Sequence, residues 1–214
     1  MVNFTLSRCI VGKIFSMLSK LNPHPKSELE YTSPYTFLVA VVLSARTTDI
    51  SVNKVTKKLF AIADSPEKML LLREEILQQY MKGIGLYNRK VKNIMALSGI
   101  LVDRYQSCVP NNLEDLMSLP GVGKKSANVV LNCVFLQPTI AVDTHVFRVS
   151  NRLGLCETKN PEQTEQVLLK VIPKKWHMHA SNWLILHGRY ICKAKKPLCS
   201  DCCIKKFCWF NTNK

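Results

Sequence analysis

The sequence lacks three features that would place it in other protein classes. Its longest uninterrupted apolar run covers only residues 37–43, whereas a membrane-spanning helix needs about 20 apolar residues. Strand-like alternation of apolar and polar residues is absent, which argues against a β-rich fold. Acidic residues are few, with 15 Asp and Glu against 30 Lys and Arg. These absences leave a helical chain of strongly basic character.

The excess of basic residues gives a net charge of +15. A charge of this size points to a polyanionic partner, and nucleic acid is the first candidate. An acidic membrane surface or an acidic protein is the alternative. The basic residues are spread along the chain rather than gathered in a tail, which favours a folded binding face. With 214 residues, 47% of them apolar, the chain can form one large or two small domains.

Helix-start signals recur along the chain. A capping residue followed by proline stands at Ser33-Pro34, Ser65-Pro66 and Asn160-Pro161, and each pair is typical of a first helical turn. Further long helices are predicted from about residue 89 to 105 and from 176 to 190. Residues 1–21 have amphipathic spacing broken by basic residues, which predicts a helix packed on the protein and no signal peptide. The fold class is therefore predicted to be all-α, with short helices packed without a supercoil.

The chain is organised around residues 119–143, LPGVGKKSANVVLNCVFLQPTIAVD. This stretch predicts a tight turn containing Gly121 and Gly123, and a helix that opens at Lys124. Glycines permit left-handed backbone and close approach, and the N–H groups of a helix start can bind an anion such as DNA phosphate. An ordinary helical hairpin is the alternative for the glycine pattern alone.

Two lysines and one aspartate add chemistry to this turn. Lys125 falls in the first helical turn, where the helix dipole disfavours an ammonium, and Lys124 adds like-charge repulsion. Both effects favour the neutral amine that a nucleophilic lysine requires. Asp143 follows eighteen residues after Lys125. The alternatives are phosphate contacts for both lysines and a helix N-cap for Asp143.

Four of the nine cysteines are clustered near the C-terminus. Cys192, Cys199, Cys202 and Cys208 follow the spacing x6-x2-x5. Thiolates this close together imply a metal site. Zinc is the chemical alternative to an iron–sulfur cluster because four thiolates suit both. Cys203, directly after Cys202, is an extra thiol.

The other four cysteines stand apart from this cluster. Cys9, Cys108, Cys133 and Cys156 each lie alone in an apolar context. Single thiols of this kind are typical of the core of an intracellular protein, and on the same compartment grounds the C-terminal cluster is not expected to form disulfides.

Two of the segments resemble a known family. LPGVGKKSANVVL and AVDTHVFRVSNRLGL closely resemble the helix-hairpin-helix and catalytic-aspartate motifs of the endonuclease III family of DNA glycosylases. The likeness runs over nearly the whole chain. It implies that Lys125 is the Schiff-base lysine and Asp143 the catalytic aspartate, with Gly121, Gly123 and Lys124 at the DNA.

The resemblance also implies an architecture and a cofactor. Two helical domains would flank a catalytic cleft. Residues 27–137 would form a six-helix domain with the helix-hairpin-helix, and residues 1–26 plus 138–214 a second helical domain. The x6-x2-x5 spacing equals that of the family's [4Fe–4S] cluster and selects Cys202 over Cys203 as a ligand.

The activity implied is that of a bifunctional DNA glycosylase and AP lyase. It would excise oxidised pyrimidines from duplex DNA through a lysine Schiff base and cleave 3′ to the abasic site by β-elimination. The expected partner is double-stranded DNA with damaged or abasic sites, for a monomer in the cytoplasm, associated with the nucleoid and not with a membrane. A non-catalytic DNA-binding module, a monofunctional mismatch glycosylase and a zinc-dependent regulator are the alternatives.

Two further positions match residues with which the family fills the hole left by a flipped nucleotide. Leu86 in GIGLYN matches the family's leucine. Arg46 in VLSARTTD stands where glutamine is usual, and we expect its planar fork to enter the hole and alter opposite-base preference. Core packing for Leu86 and a phosphate contact for Arg46 are the alternatives. His145 and His187 are predicted to support Asp143 or to be buried core histidines.

Overall fold

The computed structural model of the protein describes residues 6–212, and all regular elements in that range are helices. The predicted all-α fold class is confirmed. The chain divides into two compact units, Ser27–Leu136 and a unit made from Met1–Lys26 together with Gln137–Lys214. Within the described range, no helix is long and apolar enough to cross a membrane. The predicted N-terminal helix is seen as α1 (Arg8–Leu21), and residues 1–5 of that prediction lie outside the described residues.

The Ser27–Leu136 unit holds seven helices. They are α2 (Pro34–Leu43), α3 (Asp49–Phe60), α4 (Pro66–Leu71), α5 (Glu74–Met81), α6 (Tyr87–Tyr105), α7 (Leu113–Ser118) and α8 (Lys124–Cys133). The family resemblance implied six helices here, and Leu72 and Arg73, which are extended, separate α4 from α5. Helix α2 is central, since every residue from 35 to 43 is buried.

The start signals predicted from the sequence operate as expected. Ser33 caps α2 through a reciprocal capping box with Thr36, and Pro34 occupies the first turn. Asn160 caps the helix of residues Pro161–Val171 by accepting a hydrogen bond from Gln163 N–H. Such caps satisfy backbone donors that have no partner inside the helix. Helix α6 begins at Tyr87, two residues earlier than predicted, because the left-handed residue Leu86 ends the preceding turn.

The second unit combines α1 with the C-terminal part of the chain. Its further helices are α9 (Thr144–Leu153), α10 (Pro161–Val171), α11 (His177–Tyr190) and α12 (Trp209–Thr212), with 3-10 turns at Lys174–Trp176 and Lys205–Phe207. Helix α11 packs closely on α9, since a Cβ on Gly188 would lie 2.9 Å from the His145 Cβ. Trp183 ties α11 to the end of α1 by donating its indole N–H to the Asn22 carbonyl at 2.7 Å.

The isolated cysteines are not all core thiols. Cys156 is buried and Cys133 is half-buried, but Cys9 and Cys108 are exposed, so the prediction is wrong for these two. Cys9 lies on α1 outside the helix's buried face. Cys108 comes just after α6 has ended in two left-handed residues, Gln106 and Ser107. An apolar neighbourhood in sequence therefore did not place these thiols in the core.

Candidate functional site

The glycine turn before α8 has one conformationally demanding position. Gly121 has a φ of +83°, and a Cβ there would lie 2.7 Å from Asn93 Nδ2 and 3.1 Å from Asn93 Cβ. A side chain at 121 would therefore be strained and would also collide with α6. Gly123 differs, because its φ is −93° and nothing lies within 4 Å of its Cβ position. The expected left-handed backbone is thus found at Gly121 and not at Gly123.

Helix α8 begins with two lysines and without a side-chain cap. Gly123 is the N-cap residue, Lys124 is half-buried and Lys125 is exposed. Further along the helix, burial raises the pKa of the Cys133 thiol to about 11, and the charge of Lys125 acts in the opposite direction. This helix start therefore presents basic side chains beside backbone that a ligand can approach.

Asp143 caps the helix in which the second resembling segment lies. Its Oδ1 accepts a hydrogen bond from Val146 N–H at 2.8 Å, and the residue is half-buried. The alternative role of N-cap therefore describes Asp143 correctly. The cap uses Oδ1, and a carboxylate is also favoured at the positive end of the helix dipole. Asp143 and Lys125 belong to different units.

Arg46 and Leu86 stand on neighbouring turns of the Ser27–Leu136 unit. Both residues have left-handed backbone, with φ values of 55° and 59°. A Cβ on Gly85 would lie 3.9 Å from the Arg46 carbonyl oxygen, which brings the two turns together. Arg46 is exposed, and Leu86 is 61% exposed, so core packing does not explain the leucine.

A buried lysine, which the sequence did not indicate, contacts the turn that carries Arg46. Lys90 is 5% exposed, and its Nζ donates to the Leu43 carbonyl at 2.9 Å and to Thr47 Oγ1 at 2.8 Å. Burial lowers the pKa of Lys90. The available signal was its register, since Lys90 stands four residues before Ile94 on the apolar face of α6.

The four clustered cysteines line one pocket of the second unit. The pocket has a volume of about 340 Å³ with its open mouth, and its walls include Cys192, Cys199, Cys202 and Cys208. Cys203 stands outside that lining. Among the described residues, no three His, Cys, Asp or Glu side chains stand close enough to hold a single metal ion.

The thiols of this pocket interact with one another. Burial, together with the charges of the neighbouring thiolates Cys203, Cys208 and Cys192, raises the pKa of Cys202 to about 11. Burial likewise raises the pKa of Cys208, with Cys192 and Cys199 contributing. Thiolates that repel one another need a cationic centre to be held together, and bound metal deprotonates its thiol ligands. The donor set therefore fits a metal-containing group.

Two arginines of α9 hold the cysteine loop. Arg152 donates to the carbonyls of Lys193 at 2.7 Å and Ala194 at 2.9 Å. Arg148 donates through Nε to the Cys192 carbonyl at 3.2 Å. Helix α9 thus has Asp143 as its N-cap, and its later turns bind the loop that carries the four clustered cysteines.

The two histidines considered as supports for Asp143 have other contacts. His187 is 7% exposed, and its Nε2 lies 3.6 Å from Cys202 Sγ. Burial lowers the pKa of His187 to about 4. His145 is half-buried and its Nδ1 lies 3.2 Å from Arg148 Nη2. His187 is therefore a buried histidine at the cysteine pocket.

Comparison with protein families defines the class. Residues 39–174 match the model of the HhH-GPD superfamily of base excision DNA repair proteins. Curated relatives match at high identity. The Rickettsia conorii endonuclease III is 59% identical over 204 residues, covering 95% of this chain and 97% of the relative. The Escherichia coli K12 endonuclease III is 50% identical over 196 residues, covering 92% and 93%. The chain therefore belongs to the endonuclease III family of this superfamily.

Solved structures match the fold. A trapped endonuclease III–DNA covalent intermediate, in an estranged-adenine complex, aligns with a TM-score of 0.92 at 40% identity, covering 98% of this chain and 99% of that one. A non-covalent endonuclease III–DNA complex aligns with the same TM-score and identity over 98% of each chain. A thermostable thymine-DNA glycosylase aligns at 0.84 with 23% identity, which supports the fold alone. The resemblance found in the sequence is confirmed.

Proposed function

We propose that the chain acts on damaged duplex DNA as a bifunctional glycosylase and AP lyase, with Lys125 as nucleophile and Asp143 as its catalytic partner. The observation that carries this proposal is an exposed lysine at the uncapped start of α8, beside the left-handed Gly121 turn. Membership of the endonuclease III family makes the chain a DNA glycosylase of base excision repair. A structure of a relative records a covalent intermediate with DNA, which is the product a lysine nucleophile forms.

The mechanism begins with a nucleotide flipped out of the duplex, because the sugar C1′ is unreachable inside the stack. The neutral amine of Lys125 attacks C1′ as the bond to the damaged base breaks, and the base leaves with the bonding pair. Asp143 stabilises the positive charge that develops on the sugar and accepts a proton from the amine. The nitrogen lone pair then opens the sugar ring by breaking the C1′–O4′ bond, with the proton held by Asp143 passing to O4′, and a Schiff base forms at C1′. The Schiff base acidifies C2′, and loss of that proton expels the 3′ phosphate by β-elimination.

The backbone of the Gly121 turn and the start of α8 would contact DNA phosphate. Gly123 leaves open space beside the helix start, and Lys124 adds charge at the same point. Helix N-termini favour anions through their dipole and their N–H groups. Oxidised pyrimidines are the substrate class, and the protein acts as a monomer near the nucleoid.

Arg46 and Leu86 would occupy the space that the flipped nucleotide leaves. Both are exposed on adjoining turns, so their side chains are available to an opened duplex. Leu86 supplies an apolar wedge, and the guanidinium of Arg46 can donate to the orphaned base. This pair is the proposed source of opposite-base preference.

We also propose that Cys192, Cys199, Cys202 and Cys208 hold a [4Fe–4S] cluster. When bound, the cluster ties together the loop on which these four residues lie. The lysines of that loop, at positions 193, 195, 196, 205 and 206, offset the negative charge of thiolate ligation and can contact phosphate. Purified protein should be brown and contain iron and sulfide, whereas a zinc-dependent regulator would be colourless.

Borohydride trapping on duplexes with an abasic site or thymine glycol tests the nucleophile. The parent should form a covalent product, and Lys125→Ala should form none because no other amine holds that position. Lys124→Ala is the matched control, since it removes a neighbouring charge and should weaken binding while leaving trapping detectable. An unchanged yield with Lys125→Ala would overturn the assignment. A non-catalytic module or a monofunctional glycosylase would give no product with the parent.

Asp143→Asn separates the charge of the aspartate from its role as a cap. Asparagine is as good an N-cap as aspartate, so the thermal midpoint should stay near that of the parent. Base excision should fall by about 10²–10³-fold because electrostatic stabilisation of the sugar cation is lost. Excision at the parental rate would show that Asp143 acts only as a helix cap.

A further inference from the structure

Lys90 is a charged residue placed where an apolar one would be expected. It lies on the buried face of α6 with Val91 and Ile94, and is 5% exposed. Burying an ammonium is costly unless its protons are hydrogen-bonded. Methionine or leucine would fill the same space without that cost. The residue therefore calls for an explanation beyond packing.

The side chain of Lys90 holds both ends of the turn that carries Arg46. Leu43 is the last residue of α2, and its carbonyl accepts from Lys90 Nζ at 2.9 Å. Carbonyls at a helix C-terminus lack helical partners and lie at the negative end of the dipole, so a cation is favoured there. Thr47 Oγ1, at the far end of the turn, accepts from the same Nζ at 2.8 Å.

The turn between these two contacts is strained. Arg46 has a φ of 55°, a conformation that non-glycine residues adopt only when the surrounding structure imposes it. The Thr47 N–H closes the turn on the Ser44 carbonyl at 3.1 Å. The exposed Arg46 side chain therefore points outward from a backbone that is held on its inner side.

The Leu86 turn lies at the start of the helix that carries Lys90. The Lys90 N–H makes the ordinary helical hydrogen bond to the Leu86 carbonyl at 3.2 Å, as any residue but proline would at this position. Leu86 is also left-handed, with a φ of 59°. The adjoining Gly85 would place a Cβ 3.9 Å from the Arg46 carbonyl oxygen. The Lys90 side chain thus holds the Arg46 turn, and the Arg46 turn packs against the Leu86 turn.

We propose that Lys90 is a positioning residue that fixes Arg46 and Leu86 in one arrangement, ready to enter a duplex from which a nucleotide has been flipped. This rests on the proposed function of those two side chains. Lys90 itself does not contact DNA or the reacting atoms. Removal of the Lys90 side chain should weaken binding to a duplex in which a flipped nucleotide leaves a gap. It should leave the reaction with single-stranded DNA, which has no such gap, unchanged.

The test compares Lys90→Met with Lys92→Met, which removes an exposed lysine from the same helix. Affinity is measured on a duplex that holds a tetrahydrofuran abasic analogue. Borohydride trapping is measured on a single-stranded abasic oligonucleotide, which has no orphaned base. We expect Lys90→Met to lose about tenfold in duplex affinity relative to Lys92→Met, and to trap the single strand within about twofold of the parent.

A second variant keeps the test decisive if Lys90→Met does not fold. Thr47→Val removes one of the two acceptors at nearly constant volume, so it should cause a smaller loss confined to the duplex. An equal loss on duplex and single strand, or no loss on either, would overturn the proposal. If the parent forms no covalent product at all, the proposed function fails, and duplex affinity still decides the role of Lys90.

Discussion

Two turns of the Ser27–Leu136 unit have the same sequence pattern, Gly-x-Gly, but one exposes a side chain and the other exposes its backbone. In the turn at residues 83–85, the left-handed position falls on the next residue, Leu86, whose side chain is 61% exposed. In the turn at residues 121–123, it falls on Gly121, which packs on Asn93 of α6. Both turns lead into helices without a side-chain cap. The position of the left-handed residue therefore decides what a ligand can contact. It can contact a side chain where that residue is Leu86, and the backbone where it is Gly121.

Gly121→Ala should break this comparison most strongly. The added methyl group meets Asn93 and the backbone is left-handed, so the free energy of unfolding should fall by about 1–3 kcal/mol. Affinity for abasic-site duplex should fall with it. Gly123→Ala is the control, because its site is open and only a poorer N-cap is introduced, costing about 1 kcal/mol or less. Urea denaturation measures both, and equal losses would contradict the distinction.

Leu86→Gly should lower excision activity without lowering stability. Glycine relieves the left-handed strain at this position, so the free energy of unfolding should be unchanged or higher by up to about 1 kcal/mol. Excision from duplex DNA should fall by about tenfold because nothing apolar fills the gap beside the flipped nucleotide. Thermal unfolding and single-turnover excision are the measurements. A parallel loss of both would mean that Leu86 supports the fold.

Arg46→Gln should have the smallest effect, a change in the preference for the base opposite the lesion. Arginine pairs with the acceptors of guanine, whereas glutamine pairs with adenine. The ratio of excision opposite guanine to excision opposite adenine should therefore fall by about threefold or more in the variant. The ratio is measured because loss of the arginine charge weakens binding to both duplexes equally and therefore cancels. Identical ratios in variant and parent would remove Arg46 from opposite-base readout.

Local signals predicted much of the fold. Asn160-Pro161 predicted the start of α10, and Ser33-Pro34 predicted the start of α2, because capping chemistry depends on a few adjacent residues. The left-handed positions were predicted less well. The Gly-x-Gly pattern does not show which glycine has a positive φ, and only Gly121 packs against α6. The boundary of α6 was missed for a related reason, because Leu86 is not a residue that normally adopts φ > 0.

Contacts to backbone carbonyls could not be predicted. The spacing of the four cysteines indicated a shared site, and they line one pocket. The contacts of Arg148 and Arg152 with the cysteine-bearing loop were not predicted. Both arginines bind main-chain carbonyls, which every residue has and which no sequence pattern indicates. The same reason hid Lys90, whose acceptors include the Leu43 carbonyl. Side chains that act on the backbone need the folded chain to be recognised.

The division of the chain into a continuous and a discontinuous unit has a consequence for its synthesis. Domains fold as units while the chain emerges from the ribosome. The Ser27–Leu136 unit is complete before translation reaches the last 78 residues of the other, Gln137–Lys214. Helix α1 is made first and yet must wait longest, because the core that buries Val11 and Ile14 also contains residues as late as Cys208. A nascent chain whose Ser27–Leu136 unit has left the ribosome therefore carries one complete core and the amphipathic helix α1, whose apolar face is still exposed to chaperones.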